Sequence, residues 1–245
     1  LLTKSIEEQL PKLFGKIPSL PFEVLPIPPH SEEGQITAYY MHGSVAAGRP
    51  GRFYVNTFDI GSRPRWQMES LALHEAVPGH HFQLSLVQEL DGFSEFRRHM
   101  GCTAYIEGWG LYAESLGPDF GLGATPDARF GRLIEEMMRA VRLVVDTGIH
   151  EFGWSRSEAI AYMMEHTGFH EREAATEIDR YCVMPGQALA YKVGELSIQK
   201  WKKKAKGILG AGFDIRRFHD ALLGNGTLPL TLCEKLMEEW LKNES

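Results

Sequence analysis

Residues 70–86 read SLALHEAVPGHHFQLSL and place His74, Glu75, His80 and His81 within eight positions. Neutral imidazoles and carboxylates are ligands that zinc accepts, and a hydrolytic zinc site uses three protein ligands with a fourth position left open. A further carboxylate, not itself a ligand, must stand beside the water to take its proton. On a regular helix the two histidines lie four apart on one face, and the glutamate after the first is the base. Here the residue four after His74 is Pro78, so that geometry is not copied directly.

Two arrangements bring a second histidine to the ion. In the first, Pro78-Gly79 marks a bulge that inserts two residues into the turn, so that His80 stands where the fourth residue normally would. Proline removes the amide that would bond back to His74, and bulges of this kind favour functional sites. In the second, the helix stays regular and His81 returns to nearly the same face, but a rise of ~1.5 Å per residue leaves its Cα about 10.5 Å from that of His74. Such a separation strains a shared ion. His80 is therefore the expected ligand and His81 the alternative. A third ligand has to come from a neighbouring helix, and YIEGWGLYAES offers Glu107 and Glu114, seven residues apart on one face. Two carboxylates on an otherwise apolar helix are costly to bury without a charge partner such as a metal.

The elements that must position these residues follow from periodicity. Residues 1–30 open with an amphipathic stretch and become a proline-rich, extended lead-in that reads as a linker or an edge segment, because prolines neither donate to a ladder nor continue a helix. Residues 35–60 hold two runs rich in β-branched and aromatic residues with glycine and proline between them, which reads as a β-hairpin. Residues 65–245 form a helical body in which segment after segment places apolar residues at three- and four-residue spacing. Ser155 with Glu158, and Asp214 before IRRFHDALL, supply helix caps. The fold class is mainly α, with a small β-sheet near the amino end.

Bulk properties narrow the function. A chain of 245 residues, 43% of them hydrophobic, is long enough for a single domain with a substantial core. A formal charge of −6 leaves no electrostatic footprint for nucleic acid or an anionic membrane. The basic run Lys202–Lys206 reads as a solvated helix face. Cys102, Cys182 and Cys233 are odd in number and far apart, so neither a disulfide framework nor a cysteine zinc cluster is expected. No apolar run approaches the ~18–20 residues of a membrane span, and no signal peptide is visible. A soluble protein is expected, with cytoplasm and cell envelope both open as its compartment. The chain begins Leu1-Leu2 without an initiator methionine, so the carboxy-terminal part of a longer protein is expected.

The strings HEAVPGHHFQ, EGWGLYAESLG, RAVRLVVDTGIH and EIDRYCVMPGQALAYKVG resemble the domain-of-unknown-function family 885 over nearly the whole chain. That family in turn resembles zincin metallopeptidases of the glutamate-ligand type, the group of thimet oligopeptidase and carboxypeptidase Taq. The resemblance implies a zincin-like helical catalytic domain with a small sheet whose edge strand holds the substrate. It also implies that a glutamate in a phrase similar to YIEGWG follows the second histidine, which makes His74 the first ligand and Glu107 the third. The peptidases write His-Glu-x-Gly-His, whereas this chain writes His74-Glu75-Ala76-Val77-Pro78-Gly79-His80. Aligning on the Gly-His pair again selects His80. Family members are longer, so an amino-terminal helical portion of the same protein is an expected partner.

Further residues take expected roles. Asp146 and His150, four apart, either pair with Asp146 orienting His150 or both line the cleft. Arg180, Tyr181, Gln187, Tyr191 and Lys192 crowd polar groups around a Pro-Gly turn as candidate substrate contacts. An oxyanion donor is needed opposite the metal, and Tyr191 is the first choice with Tyr181 second and His150 a further candidate. RFYVNT is the expected edge strand, with Asn56 contacting an extended peptide or capping a turn. The expected function is zinc-dependent hydrolysis of a peptide bond with Glu75 as general base. The alternatives are a metal-dependent amidohydrolase acting on a non-peptide or cell-wall amide, and a degenerate zincin that only binds peptides.

Overall fold

In the computed structural model, which describes residues 1–245 apart from the side chain of Ser62, helices carry most of the chain and one sheet stands near the amino end. Strands β1 (Phe22–Pro26), β2 (Ala38–Met41) and β3 (Gly51–Val55) order as β1-β3-β2. β2 and β3 pair antiparallel with Tyr39 opposite Tyr54, which is the hairpin expected within residues 35–60. β1 adds parallel to β3, with Val24 opposite Phe53.

RFYVNT is thus the central strand and not the edge, because the proline-rich lead-in supplies a third strand. Pro26 closes β1 on the sheet edge, where a missing amide leaves no ladder bond unmade. Of the two readings of the proline-rich segment, linker or edge segment, the structure shows the edge. Ile6, Leu10, Leu13, Phe14, Leu20 and Ile27 are buried, so the amphipathic opening and the proline-rich segment are both part of the core.

The helices follow as α1 (Leu2–Glu7), α2 (Met68–Leu71), α3 (His80–Glu89), α4 (Glu95–His99), α5 (Thr103–Ser115) and α6 (Pro126–His150). They continue as α7 (Arg156–Thr167), α8 (Glu171–Val183), α9 (Ala190–Leu209), α10 (Ile215–Leu223) and α11 (Leu230–Glu244). Two apolar clusters hold them. One joins α1, α3, α5, α9, α10 and α11 around Phe14, Phe82, Trp109, Tyr112 and Phe218; the other joins α6, α7 and α8 around Val145, Met163, Ile178 and Tyr181. The expected caps are formed. Ser155 and Glu158 make a reciprocal capping box, and the Asp214 side chain accepts from the Arg216 amide.

Helix α6 turns its charged side inward. Glu135, Arg139, Arg142 and Asp146 are buried, while Phe130, Leu133 and Met137 are each about half exposed or more nearly so, at 54%, 50% and 47%. Apolar spacing says which residues share a face but not which face is covered, and here the inner face carries Met138, Val141 and Val145 beside the four charges.

A second packing detail bears on stability. His219 is fully buried between Phe14, Trp109, Tyr112 and Phe218. Its Nδ1–H donates to the Leu13 carbonyl at 2.8 Å, which leaves Nε2 as an acceptor for the Tyr112 hydroxyl at 2.7 Å. The neutral ring satisfies both partners. Burial, and then the Lys202 ammonium, push its pKa down to about 3. An unfolded histidine titrates near ~6.5, so the unfolded chain binds a proton that the folded one refuses as pH falls from about 6.5 to about 3. Folding stability should fall through that window by up to about 1.4 kcal/mol per pH unit from this group and level off below it. Urea unfolding at pH 7, 5.5 and 4.5 checks this. A His219→Gln variant should be the less stable at pH 7 and close the gap as pH falls, and parallel curves would exclude the mechanism.

Candidate metal centre

The HEAVPGHH segment is neither a regular helix nor a helix with an internal bulge. α2 widens into a π turn over Ala72–Ala76, Val77 is extended, and α3 begins afresh at His80. Pro78 lies in this break, and the Trp109 indole N–H of α5 donates to its carbonyl at 2.8 Å. The break lets His74, at the end of one helix, and His80, at the start of the next, converge on α5.

On α5 the phrase EGWG does three things. Glu107 presents Oε2 to His74 Nε2 at 3.6 Å and to His80 Nε2 at 3.3 Å. Gly110 leaves room for the His74 ring, since a Cβ there would stand 2.8 Å from Nε2. Trp109 holds the proline break. One ligand atom from each of His74, His80 and Glu107 falls within 4.8 Å of the others. The two imidazoles meet edge to face, with centroids 4.6 Å apart.

These residues fit a zinc ion. A tetrahedral ion with nitrogen and oxygen donors at ~2.1 Å sets its donors ~3.4 Å apart, and the two measured separations bracket that spacing. Glu107 Oε2 is buried and has no hydrogen-bond partner among the described residues. An orphaned carboxylate oxygen between two imidazole nitrogens is the arrangement that a cation completes.

Glu114, one face-repeat along α5, is not in this group. Its Oε1 accepts from His74 Nδ1 at 2.8 Å, which fixes the tautomer and leaves Nε2 aimed at Glu107. Arg139 of α6 stands 3.4 Å from the same Glu114 oxygen and also pairs with Glu135. Burial disfavours the charged Glu114 carboxylate, but Arg139 and then His74 outweigh it and hold the pKa below the usual range. For His74, burial is likewise outweighed, by the Glu107 and Glu114 carboxylates, and its pKa rises to about 9. Glu114→Gln should lower zinc affinity by about 10- to 100-fold, because it releases ring orientation and basicity while keeping all three donors. Competition with a zinc chelator measures this.

His81 faces the other way. Its Nε2–H donates to the Leu20 carbonyl at 2.9 Å, so Nδ1 accepts from the Tyr40 hydroxyl at 3.0 Å. Burial lowers its pKa to about 4. The ring ties α3 to the sheet and stands outside the group formed by His74, His80 and Glu107.

Beside that group opens a cavity of about 340 Å3, walled by the π turn, α6, α8 and the segment leading into β2. Glu75 and Tyr191 both line it, and the Tyr191 ring stacks on His74 with centroids 6.0 Å apart. Arg180 lines it too, bridging Glu177 at 2.9 Å and Gln187 at 2.7 Å.

Other expected site residues are engaged elsewhere. Asn56 is buried, donating to the Glu32 and Gln35 carbonyls and accepting from the Phe58 amide, so it folds the turn that carries the cavity wall. Tyr181 donates to Glu177 and accepts from Arg142, which leaves it no hydrogen for a substrate. Lys192 pairs with Glu136 and Glu195 and does not line the cavity. Gln187 contacts Tyr191 rather than the cavity. Asp146 and His150 do not pair and do not line the cavity: the first accepts from the Gly186 amide, the second bonds the Tyr181 carbonyl at 3.0 Å. The backbone of α8 thus takes His150 and the Pro185-Gly186 turn after it takes Asp146, so each side chain has a main-chain partner.

The sequence reading missed Glu135, Arg139, Arg142, Glu173 and Glu177, all on the cavity wall. Burial, then Glu135 and Glu177, push the Glu173 carboxyl up to about 7. For the three on α6 the sign in the sequence was the repeat of charges at Glu135, Arg139, Arg142 and Asp146, whose three- and four-residue spacing tracks one helix face.

No curated protein matches this chain. A solved structure from Colwellia psychrerythraea, described as a "putative lipoprotein", superposes with a TM-score of 0.96 at 37% identity, covering 99% of this chain and 42% of that one. A second, from Shewanella oneidensis and described as a "putative lipoprotein of unknown function", superposes with a TM-score of 0.78 at 22% identity and shows the same fold. It covers 97% of this chain and 45% of that one, so the chain spans less than half the length of either. Residues 2–237 match the family described as bacterial protein of unknown function (DUF885), and the chain belongs to it.

Proposed function

We propose that this protein is a zinc-dependent peptidase. The observation that carries the reading is the convergence of His74, His80 and Glu107 beside a cavity whose wall holds His74 and a non-ligating carboxylate, Glu75. A zinc ion held by the three supplies, when bound, Lewis acidity toward a carbonyl and toward water. Glu75 takes a proton from the attacking water onto a carboxylate oxygen and delivers it to the leaving amine nitrogen as the C–N bond breaks. Tyr191 donates its hydroxyl hydrogen to the carbonyl oxygen as negative charge builds there. Burial, then the Glu107 carboxylate, hold the Tyr191 phenol above its ordinary pKa, so it keeps that hydrogen.

An extended substrate has a place to lie. β2 is an edge strand, and Ile36, Thr37 and Ala38 at its start line the cavity. A peptide adding to that edge runs past the metal ligands with its backbone bonded and its side chains alternating. Among the described residues no helix is long and apolar enough to cross a membrane. The likeness to the Colwellia protein supports the cell envelope as the place where such peptides are met.

The test is metal analysis of the purified protein followed by digestion of a mixed peptide library. Zinc near one equivalent with new amino termini in the library is the expected result. Zinc without peptide cleavage, but with release of amine from a cell-wall amide, moves the reading to an amidohydrolase. Zinc with neither leaves a binding protein, and a protein that takes up no zinc sinks all three.

A further inference from the structure

The direction in which the Tyr191 hydroxyl points its hydrogen is set by two side chains outside the reacting centre. An arginine has five donors and no acceptor. The atom of the Gln187 amide that faces Arg180 NH1 at 2.7 Å is therefore the oxygen, Oε1. Its nitrogen is then the atom that faces the Tyr191 hydroxyl oxygen, at 3.1 Å, and a nitrogen bearing hydrogens toward an oxygen donates. The Tyr191 oxygen accepts, and no acceptor among the described residues takes its own hydrogen.

The chain is held at both ends. Arg180 is fixed by Glu177 at 2.9 Å, and Glu177 is also bonded by Arg142 and Tyr181. The turn that carries Gln187 is held where the Gly186 amide donates to Asp146, with both carboxylate oxygens at 3.2 Å. Arg142 lies over the Tyr191 ring, 4.5 Å from its centre, on a residue that also stacks on His74. The ring has little room to turn, so a free hydrogen on its oxygen points into the cavity it lines.

We propose that Arg180 and Gln187 are positioning residues which force Tyr191 to act as a hydrogen-bond donor toward the substrate carbonyl, with Asp146 anchoring the turn that aligns them. This rests on the peptidase reading for its chemistry, while the polarity of the chain stands on geometry alone.

Two substitutions of Gln187 separate polarity from packing. Glutamate keeps the shape and the contact to Arg180 but offers Tyr191 an acceptor, which turns the hydroxyl hydrogen away from the cavity. Methionine loses both bonds yet leaves the hydrogen free. Gln187→Glu should lower kcat by about 100-fold, the usual effect of losing one oxyanion donor, at unchanged KM and zinc content. Gln187→Met should lower it by less than about tenfold, the worth of a neutral hydrogen bond. In a Tyr191→Phe background Gln187→Glu should add almost nothing. A purely structural role reverses the order, with the isosteric glutamate the better tolerated. Equal losses in the two variants, or a full Gln187→Glu loss in the Tyr191→Phe background, overturn the proposal.

A measurement on the metal-free protein needs no turnover. The C–O stretching band of isotope-labelled tyrosine differs between a phenol that accepts and one that donates, and subtracting the Tyr191→Phe spectrum isolates this residue. The parent should show the accepting form and Gln187→Glu the donating form; the same band in both rejects the inference. If the parent cleaves no peptide, the peptidase reading fails by itself and the spectra still decide the direction of the hydroxyl.

Discussion

Glu75→Gln should lower peptide hydrolysis by about 10²- to 10⁴-fold, the range expected when a positioned general base is lost, with zinc content and thermal stability close to the parent. The expectation comes from what surrounds the residue. Glu75 follows His74 in the π turn, lines the cavity, and is only half buried. Among the described residues it makes no side-chain hydrogen bond or ion pair, and its charge acts on the adjoining His74. Glutamine has the same shape and still fills the wall, so substrate should bind as before and KM should hold. What glutamine cannot do is accept a proton from water and return it to the departing nitrogen. The loss should therefore appear in kcat, and in kcat/KM by the same factor, as it does for an interaction made only in the transition state. A variant that hydrolyses the library at the parent rate would remove Glu75 from the chemistry. A variant that loses zinc along with activity would make it a structural neighbour of His74 instead.

How much of this was readable beforehand divides along physical lines. The histidine and glutamate types, and the proline that breaks their spacing, are written in eight residues, whereas the choice of Glu107 over Glu114 as the residue that joins His74 and His80 came only with the family resemblance. The fate of His81 was not readable, because it depends on Leu20 and Tyr40, distant in the chain and brought near only by the sheet. Strand order was missed for a similar reason. Phe22–Pro26 carries little strand signal with Pro18, Pro21, Pro28 and Pro29 around it and Pro26 at its end, and its pairing to β3 is a long-range event. The caps at Ser155 and Asp214 are local, and the sequence placed them correctly.

Helix α6 teaches the opposite lesson. Its charges at Glu135, Arg139, Arg142 and Asp146 were visible and regularly spaced, yet nothing local says that they turn inward, where Met138, Val141 and Val145 are buried beside them. Four buried charges on one helix are tolerable only as a connected set. Here Arg139 serves Glu114 and Glu135, Arg142 serves Glu177, and Asp146 serves the Gly186 amide. Each therefore has a partner on another element, except that Glu135 lies on α6 itself, and the set reaches from His74 to the turn carrying Gln187. A helix that reads as amphipathic with charges at heptad-like spacing near a candidate site should be considered in both orientations.

The second large effect should come from a methyl group. Gly194→Ala is expected to destabilise the fold by about 1–3 kcal/mol or more, the range for overpacking a tight contact. α5 and α9 cross at Gly108 and Gly194, where the Cβ of an alanine at 194 would overlap the Ala104 carbonyl oxygen and lie 2.6 Å from Gly108 Cα. Both obstacles are backbone, so no side chain can swing aside and the helices must part. Alanine's better helix propensity, worth about 1 kcal/mol over glycine, opposes this but does not relieve the clash. Gly207 supplies the control on the same helix. A Cβ there meets nothing within 4 Å, so Gly207→Ala should be neutral or stabilising. The crossing also sets the site, since Glu107 precedes Gly108 and Tyr191 lies one turn before Gly194. Parting the helices moves a ligand and an oxyanion donor away from each other, so zinc affinity should fall with stability in Gly194→Ala and in neither respect in Gly207→Ala. Thermal unfolding and zinc titration of the two variants decide it, and equal melting temperatures would mean that the close crossing of α5 and α9 is not what holds the centre together.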